Sequence, residues 1–423
     1  MTARAAMKTI IYLDETCRET FGWNWKDSLP LTKDDFYDYF TMTGTLFDFD
    51  GKYVYWIGMD NGNVPDVFRR NLYGKLSALT DKLDQDALII NGTHTHSGPR
   101  MTRTRVSMHG ATEEDCYMDF IEANTDKAVQ MFKELEGQLQ EFTSQIAVVP
   151  IEGCYGNRNN LDLPADKDVN LIALNALNGE RIGILMELTT HSTIIFPKNP
   201  KMTTDLVGNV RTKVSELYDC PVLPFVGCAG DSSTRLTRQR SKDPALDHSE
   251  LLRLRDEITA QIKEKAVFED VVIDRFEAES VELSYSYTLN PETMKKRLVK
   301  LEEQIAAEKN PQQLRLLLQS KESLEKRILG PFDAQDTLIG RAYNFGEIKI
   351  GVFPGELVAS LGLQIISHQP HEHHLVMGYT PDGVGYLVEI GEYGKNFESI
   401  NSKIPVGLPE VLTWMIKSKV EEF

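Results

Sequence analysis

The stretch "ALII" (87–90) followed by "NGTHTHSGPR" (91–100) decides how this chain is read. A short apolar run of this kind is a buried strand ending in a polar loop. The loop carries His94 and His96, one residue apart. On an extended backbone residues i and i+2 point the same way, so both imidazoles can face one cleft. A polar turn that merely holds two histidines is the alternative, and an HxH pair alone does not exclude it.

Two other runs end in the same fashion. "RIGILMELTTHS" (181–192) delivers His191, and "IGVFPGE" (350–356) delivers Glu356 after a rigid Pro-Gly turn. A lone histidine or acid at a strand end is usually only a polar loop residue. Several together carry more weight, because ligands gather at the carboxyl ends of strands in open α/β sheets. "VLPFVGCAGDSS" (222–233) leads into Ser233 and then Arg235. There is no G-x-S-x-G elbow around that serine, and "DSST" also suits a helix N-cap. Arg158, in "GCYGNRNNL" (153–161), is either an oxyanion clamp or a surface charge. The crowded "SHQPHEHH" (367–374) has the composition of a metal tract. It reads better as a solvated loop leading into a strand.

Between these spots, strand-like and helical stretches alternate from about residue 44. "TLFDFDGKYVYWIGMD" (45–60) reads as a hairpin turning at Asp50-Gly51. "VPDVFRRNLYGKLSAL" (64–79) and "TEEDCYMDFIEANTDKAVQMFKEL" (112–135) have helical spacing, and "EFTSQIAVVPIEG" (141–153) and "VNLIALNAL" (169–177) read as strands. The expected class is α/β, with a layered α+β arrangement as the variant: a mixed β-sheet core with flanking helices. Residues 290–331 form a charged, helically periodic segment broken at "KNPQQ", expected to be an inserted helical hairpin in one domain spanning 1–423. A solvated projection is the preferred reading of that hairpin; a homo-oligomer contact or a lid is the alternative.

The 423 residues include 41% hydrophobic and 26% charged side chains, with a formal net charge of −17. That balance argues against a nucleic-acid partner, which would need a basic face. No apolar stretch approaches the roughly 20 residues of a membrane span. The N-terminal "TIIYL" is too short for a secretion signal, so a cytoplasmic location is expected. Cys17, Cys116, Cys154, Cys220 and Cys228 are scattered and without a CxxC, and read as reduced, buried thiols.

Taken in order, these pieces resemble the neutral ceramidase family, zinc-dependent amidases that cleave the N-acyl bond of ceramide. "NGTHTHSGP" (91–99) is close to the family's "THTHSGPGG". "VYWIGMDNG", "GNRN", "TTHSTIIFPKNPKMTTDLVG", "CAGDSST", "FPGE" and "GYLVEIGEY" follow the family's order over roughly residues 50–400. The resemblance implies one Zn²⁺ held by His94, His191, Glu356 and Tyr386, a set suited to that ion. It implies that His96 and Arg158 bond the carbonyl oxygen, that Glu356 accepts the water's proton, and that Ser233 belongs to the site's architecture. Departures from the family's pattern point away from its lipid substrate. Arg100 and Met101 replace small residues, Arg235 is added, Phe397 stands where a tyrosine is expected, and neither the family's C-terminal β-domain nor a secretion signal is found. Two added arginines suit a small, polar substrate. The expected activity is therefore zinc-dependent hydrolysis of an amide or related acyl or ester bond. A true ceramidase acting on N-acylsphingosine and a non-catalytic ligand-binding relative are the alternatives.

Overall fold

The computed structural model describes residues 3–23, 26–27, 30–103, 110–195, 199–239, 243–288, 291–309, 333–381 and 383–423, with 314, 317, 318, 321, 324, 325 and 328 between them. The chain opens with strand β1 (Ala3–Leu13), a strand absent from the sequence reading. β2 (Phe40–Phe49) and β3 (Lys52–Met59) follow as the expected hairpin. Its two-residue turn has Asp50 at φ 51° and Gly51 at φ 88°, the left-handed pair that matches strand twist. Helix α1 (Asp66–Ser77), β4 (Leu83–Gly92), α2 (Met118–Glu136), β5 (Gln140–Pro150), β6 (Asp168–Ala176) and β7 (Arg181–Leu188) come next. α3 (Asp205–Tyr218), β8 (Val222–Phe225) and α4 (Pro244–Lys265) complete the first half. α2 starts later than its charge pattern predicts. Thr112 and Asp115 close a capping box on a separate 3₁₀ turn, which ends the element at Cys116.

The strands hydrogen-bond in the order β8-β7-β6-β5-β1-β2-β3-β4, with parallel pairs at β7–β8 and β3–β4. This mixed sheet curls so that its halves meet. A Cβ built on Gly58 in β3 would stand 2.6 Å from the Pro224 carbonyl oxygen in β8, so only glycine permits that approach. Side chains along β6 alternate between two cores, as a two-residue period requires. Ile172 and Leu174 join the cluster holding Trp56, Phe225 and the α1 and α2 residues, whereas Val169, Leu171 and Ala173 pack with α3 and α4.

A second sheet follows. β9 (Glu277–Thr288), α5 (Pro291–Ala307), β10 (Asp333–Asn344), β11 (Ile348–Val352), β12 (Ser367–Gln369), β13 (Glu372–Met377) and the C-terminal α6 (Leu408–Glu422) build it. Its strand order is β9-β10-β11-β13-β12. Leu412, Ile416 and Val420 on α6 pack with Leu338, Ala342 and Val376 as a third core. α5 lies within the segment 290–331 expected as an inserted helical hairpin. Lys321 pairs with Glu302 at 2.8 Å, and most of residues 310–332 lie outside the described residues. The observed class is the expected one, mixed sheets with flanking helices. No described helix is long and apolar enough to cross a membrane. All five cysteines are buried and free.

Candidate metal centre

The site lies where the two sheets meet. His94 follows β4, His191 follows β7, and both belong to the first sheet. Glu356 follows β11 of the second sheet and pairs in parallel with Tyr386, its neighbour across a two-residue ladder. The loops interlock: His96 N–H donates to the Ser192 carbonyl at 3.1 Å, and His191 N–H to that of Ser232 at 3.0 Å.

His94 adopts φ 57°, a left-handed conformation uncommon outside glycine that histidine adopts more often than most residues. It is held there by its N–H on the Asn61 carbonyl (2.9 Å) and its Nδ1 on that of Gly62 (2.8 Å). The Asn61–Gly62 turn is itself anchored by Asp60, a buried carboxylate paired with Arg211 at 2.9 Å and bonded to Thr41. His191 Nδ1 faces the Ala229 carbonyl at 2.6 Å. A carbonyl only accepts, so Nδ1 carries the proton in both rings and each Nε2 keeps its lone pair.

Those free atoms converge. Nε2 of His94 lies 3.1 Å from Nε2 of His96 and 3.5 Å from Glu356 Oε2. His191 Nε2 lies 3.1 Å from the same Glu356 oxygen. Donors each about 2.0–2.1 Å from one tetrahedral ion stand roughly 3.3–3.4 Å apart, so the spacing suits a single small cation. The His94, His96 and His191 group, with donor atoms within 4.8 Å of one another, could hold a metal ion. His94 and His191 are buried; His96 opens to solvent. Burial, then the Arg158 charge, pushes His191 down to about 4, which keeps it a neutral ligand at ordinary pH.

Arg158 sits beside this cluster. Its backbone N–H donates to the Asp231 carbonyl at 2.7 Å. Its Nη2 donates to the Tyr386 hydroxyl at 3.1 Å. The guanidinium lies 5.5 Å from the centres of both the Tyr386 and Phe397 rings. Burial pushes the Tyr386 phenol up, with Glu356 adding to the shift and Arg158 opposing it.

The remaining candidates take other positions. Ser233 lies on a two-residue strand, Ser232–Ser233, paired with Gly156–Asn157. Its hydroxyl accepts from the Arg235 N–H at 3.1 Å, which makes a turn rather than the expected helix cap. The next helix, α4, is capped instead by Asp243, whose carboxylate accepts from the Ala245 N–H. Arg100 exchanges backbone hydrogen bonds with Gly22, and its guanidinium packs against Gly22 beside the Tyr117 ring. Met101 is fully buried.

Two site residues escaped the sequence reading. Glu398 is completely buried and pairs with Arg158 Nε, while its other oxygen accepts from Asn159 Nδ2 at 2.9 Å. Nothing near residue 398 announces a partner 240 positions away. Tyr379, at φ 57°, has its ring centre 4.4 Å from that of His94 with the planes tilted by 39°, and its buried hydroxyl has no partner among the described residues. An orphaned phenol beside three histidines and a carboxylate is what a missing ligand or ion would leave.

No family model matches the sequence, and no curated protein does so either. Solved structures do. A ceramidase complexed with C2 superposes with a TM-score of 0.67 at 14% identity, covering 99% of this chain and 74% of that one. Neutral ceramidase from Pseudomonas aeruginosa matches with the same TM-score, identity and coverage. At that identity the likeness is one of fold: over nearly its whole length, this chain has a neutral ceramidase-like fold.

Proposed function

We propose that this protein is a metal-dependent hydrolase of an amide or related acyl bond. The observation that carries the reading is the convergence of His94 Nε2, His191 Nε2 and Glu356 Oε2 at one point, beside a buried arginine. His94, His191, Glu356 and Tyr386 would hold the ion, and zinc is the one this donor set suits best. When bound, such an ion supplies Lewis acidity toward a carbonyl and lowers the pKa of water. His96, open to solvent, is the hydrogen-bond donor for the substrate carbonyl. Arg158, fixed by Glu398, adds a charged donor for the oxyanion that develops. Glu356 uses its second oxygen to take a proton and return it to the leaving group. Ser233 keeps the turn before Arg235 in shape, and Arg100 and Arg235 are the candidates for recognising a polar substrate.

A second reading, an N-acylated lipid as substrate, is favoured by a separate observation. Leu161 and Leu163 follow Arg158, Leu236 follows Arg235, and Phe397 and Ile400 flank Glu398; all five are exposed, Ile400 by 71%. Apolar side chains on the segments that carry the site suit an acyl chain.

The test is metal analysis followed by turnover. The chain lacking both imidazoles (His94→Ala with His191→Ala) should lose its bound metal. Glu356→Gln should keep the fold and cut hydrolysis of short-chain and long-chain N-acyl amides by at least about a hundredfold. Metal retained in full by the double variant, or near-normal turnover by Glu356→Gln, sinks the assignment. The chain-length preference of the wild type decides between a polar substrate and a lipid.

A further inference from the structure

The "HQPHEHH" tract (368–374) takes no part in the centre described above. It forms the hairpin of β12 and β13 at the edge of the second sheet. Pro370 and His371 make its turn, with His371 at φ 64°, a conformation that histidine tolerates better than most residues. The register sets His368 directly opposite His373. Directly opposed residues share a face of the ladder, so both imidazoles project the same way, and Glu372 and His374 project the other.

The two Nδ1 atoms face each other at 3.2 Å. That distance has two chemical meanings. One ring donates a proton to the other, or both lone pairs point at a shared cation. Two nitrogens each about 2.0–2.1 Å from a tetrahedral ion are roughly 3.3–3.4 Å apart, close to the spacing observed. His373 is 8% exposed, and His368 Nε2 is buried without a partner among the described residues. The surroundings are acidic. Glu269 and Glu347 act on His373, and Glu347 lies 3.1 Å from His371 Nδ1. From His373 the chain runs six residues to Tyr379, a span of at most about 20 Å, and the two groups share no residue.

We propose that His368 and His373 form a second metal site, for a late first-row transition dication such as Zn²⁺, Co²⁺ or Cu²⁺, with water completing the shell. Neutral imidazole is the ligand type those ions prefer. The ion clasps the β12–β13 hairpin, the edge of the sheet that supplies Glu356. The proposal is independent of the hydrolase reading, because no residue is shared.

The experiment uses full-length protein without a histidine tag, stripped with chelator and titrated with Co²⁺ or Zn²⁺. His94→Ala with His191→Ala removes the first centre. In that background about one equivalent should still bind, with nitrogen-ligated Co²⁺ absorption. Adding His368→Gln should abolish this binding, whereas adding His374→Gln should not. His368 is only partly buried, so the variant keeps the fold, which circular dichroism verifies before titration. The proposal is overturned if the background variant binds nothing, or if His368→Gln leaves the equivalent in place. Loss of metal from the wild type's first centre alone, or its absence there, would bear only on the hydrolase reading.

Discussion

Glu398→Gln should cost more stability than its exposed surroundings suggest. The Arg158 and Glu398 side chains are 4% and 0% exposed, so the ion pair sits away from water. Substituting glutamine keeps the shape and a carbonyl for Asn159 Nδ2, but it leaves the Arg158 charge buried and unbalanced. Breaking one partner of a buried pair costs about 3–5 kcal/mol. Unfolding entropy scales as roughly 2.1 cal/mol/K per residue, which gives about 0.9 kcal/mol/K for this chain. The melting temperature should therefore fall by about 3–6 °C. The double variant Arg158→Leu with Glu398→Leu removes both charges, and replacement of a whole buried pair is often close to neutral. It should recover most of the loss, with a coupling energy of at least about 1.5 kcal/mol in a double-mutant cycle. Differential scanning calorimetry of the wild type, Glu398→Gln, the double variant and the two single leucine variants that close the cycle measures this. A Glu398→Gln transition within about 1 °C of wild type, or a double variant no better than that single one, refutes the claim that Glu398 exists to neutralise Arg158.

Three other expectations follow from particular contacts. Gly230→Ala would place a Cβ 2.5 Å from the Glu356 carbonyl and 2.8 Å from that of Leu357. It should displace the Glu356 strand, destabilise by about 1–3 kcal/mol and weaken metal binding; unchanged metal affinity would contradict the placement. Asp166 is held at about 6, up from 3.8, chiefly by burial, with the Thr189 hydroxyl bond opposing the shift. Its folded pKa is raised, so its ionisation withdraws stability as pH climbs from about 4 to 6, by up to about 3 kcal/mol. Asp166→Asn lacks that loss and should gain on the wild type by this amount in denaturant titrations between pH 4 and 7; a constant difference refutes it. His96→Ala should keep its metal, measured by elemental analysis, and lose turnover, whereas metal loss would make His96 a ligand rather than a substrate contact.

The strand ends that build the centre were legible because each is a short apolar run with an abrupt polar stop. β4, β7 and β11 all end that way before His94, His191 and Glu356. β1 was not legible. Its first half, Ala3–Met7, is mostly alanine, which is poor in strands. The position between β5 and β2 buries Ala5 and Ala6 completely or nearly so, and there small side chains meet Met7 and the neighbouring ladder. The tract 367–374 reads as a loop by polarity, yet it is a paired edge. Its hydrogen bonds to the β11 strand and across the Pro370 turn outweigh its composition. Glu398 and Tyr379 were illegible for a different reason. Each owes its role to a partner distant in the chain, and a single sequence carries no record of such pairs.

The polarity of the substrate turns on which arginine reaches it. Arg100 and Arg235 are the two arginines among the departures from the ceramidase pattern, and they favour a polar substrate. In the fold, Arg100 lies against Gly22 and Tyr117, while Arg158 is the guanidinium beside Tyr386. Arg158 already has Glu398 as its counter-ion, so the pair is neutral overall and gives an anionic substrate little long-range attraction. What it offers is a directed N–H beside the cluster, suited to an oxygen that gains charge only during reaction. A neutral amide fits that electrostatic design better than a carboxylate or phosphate. On the proposed reading, the exposed Leu161, Leu163, Leu236, Phe397 and Ile400 decide how much apolar surface the substrate carries. Truncating Phe397 and Ile400 together to alanine separates the cases. A long-chain amide should lose affinity through KM while a short one is unaffected, and equal effects on both would return the argument to Arg100 and Arg235.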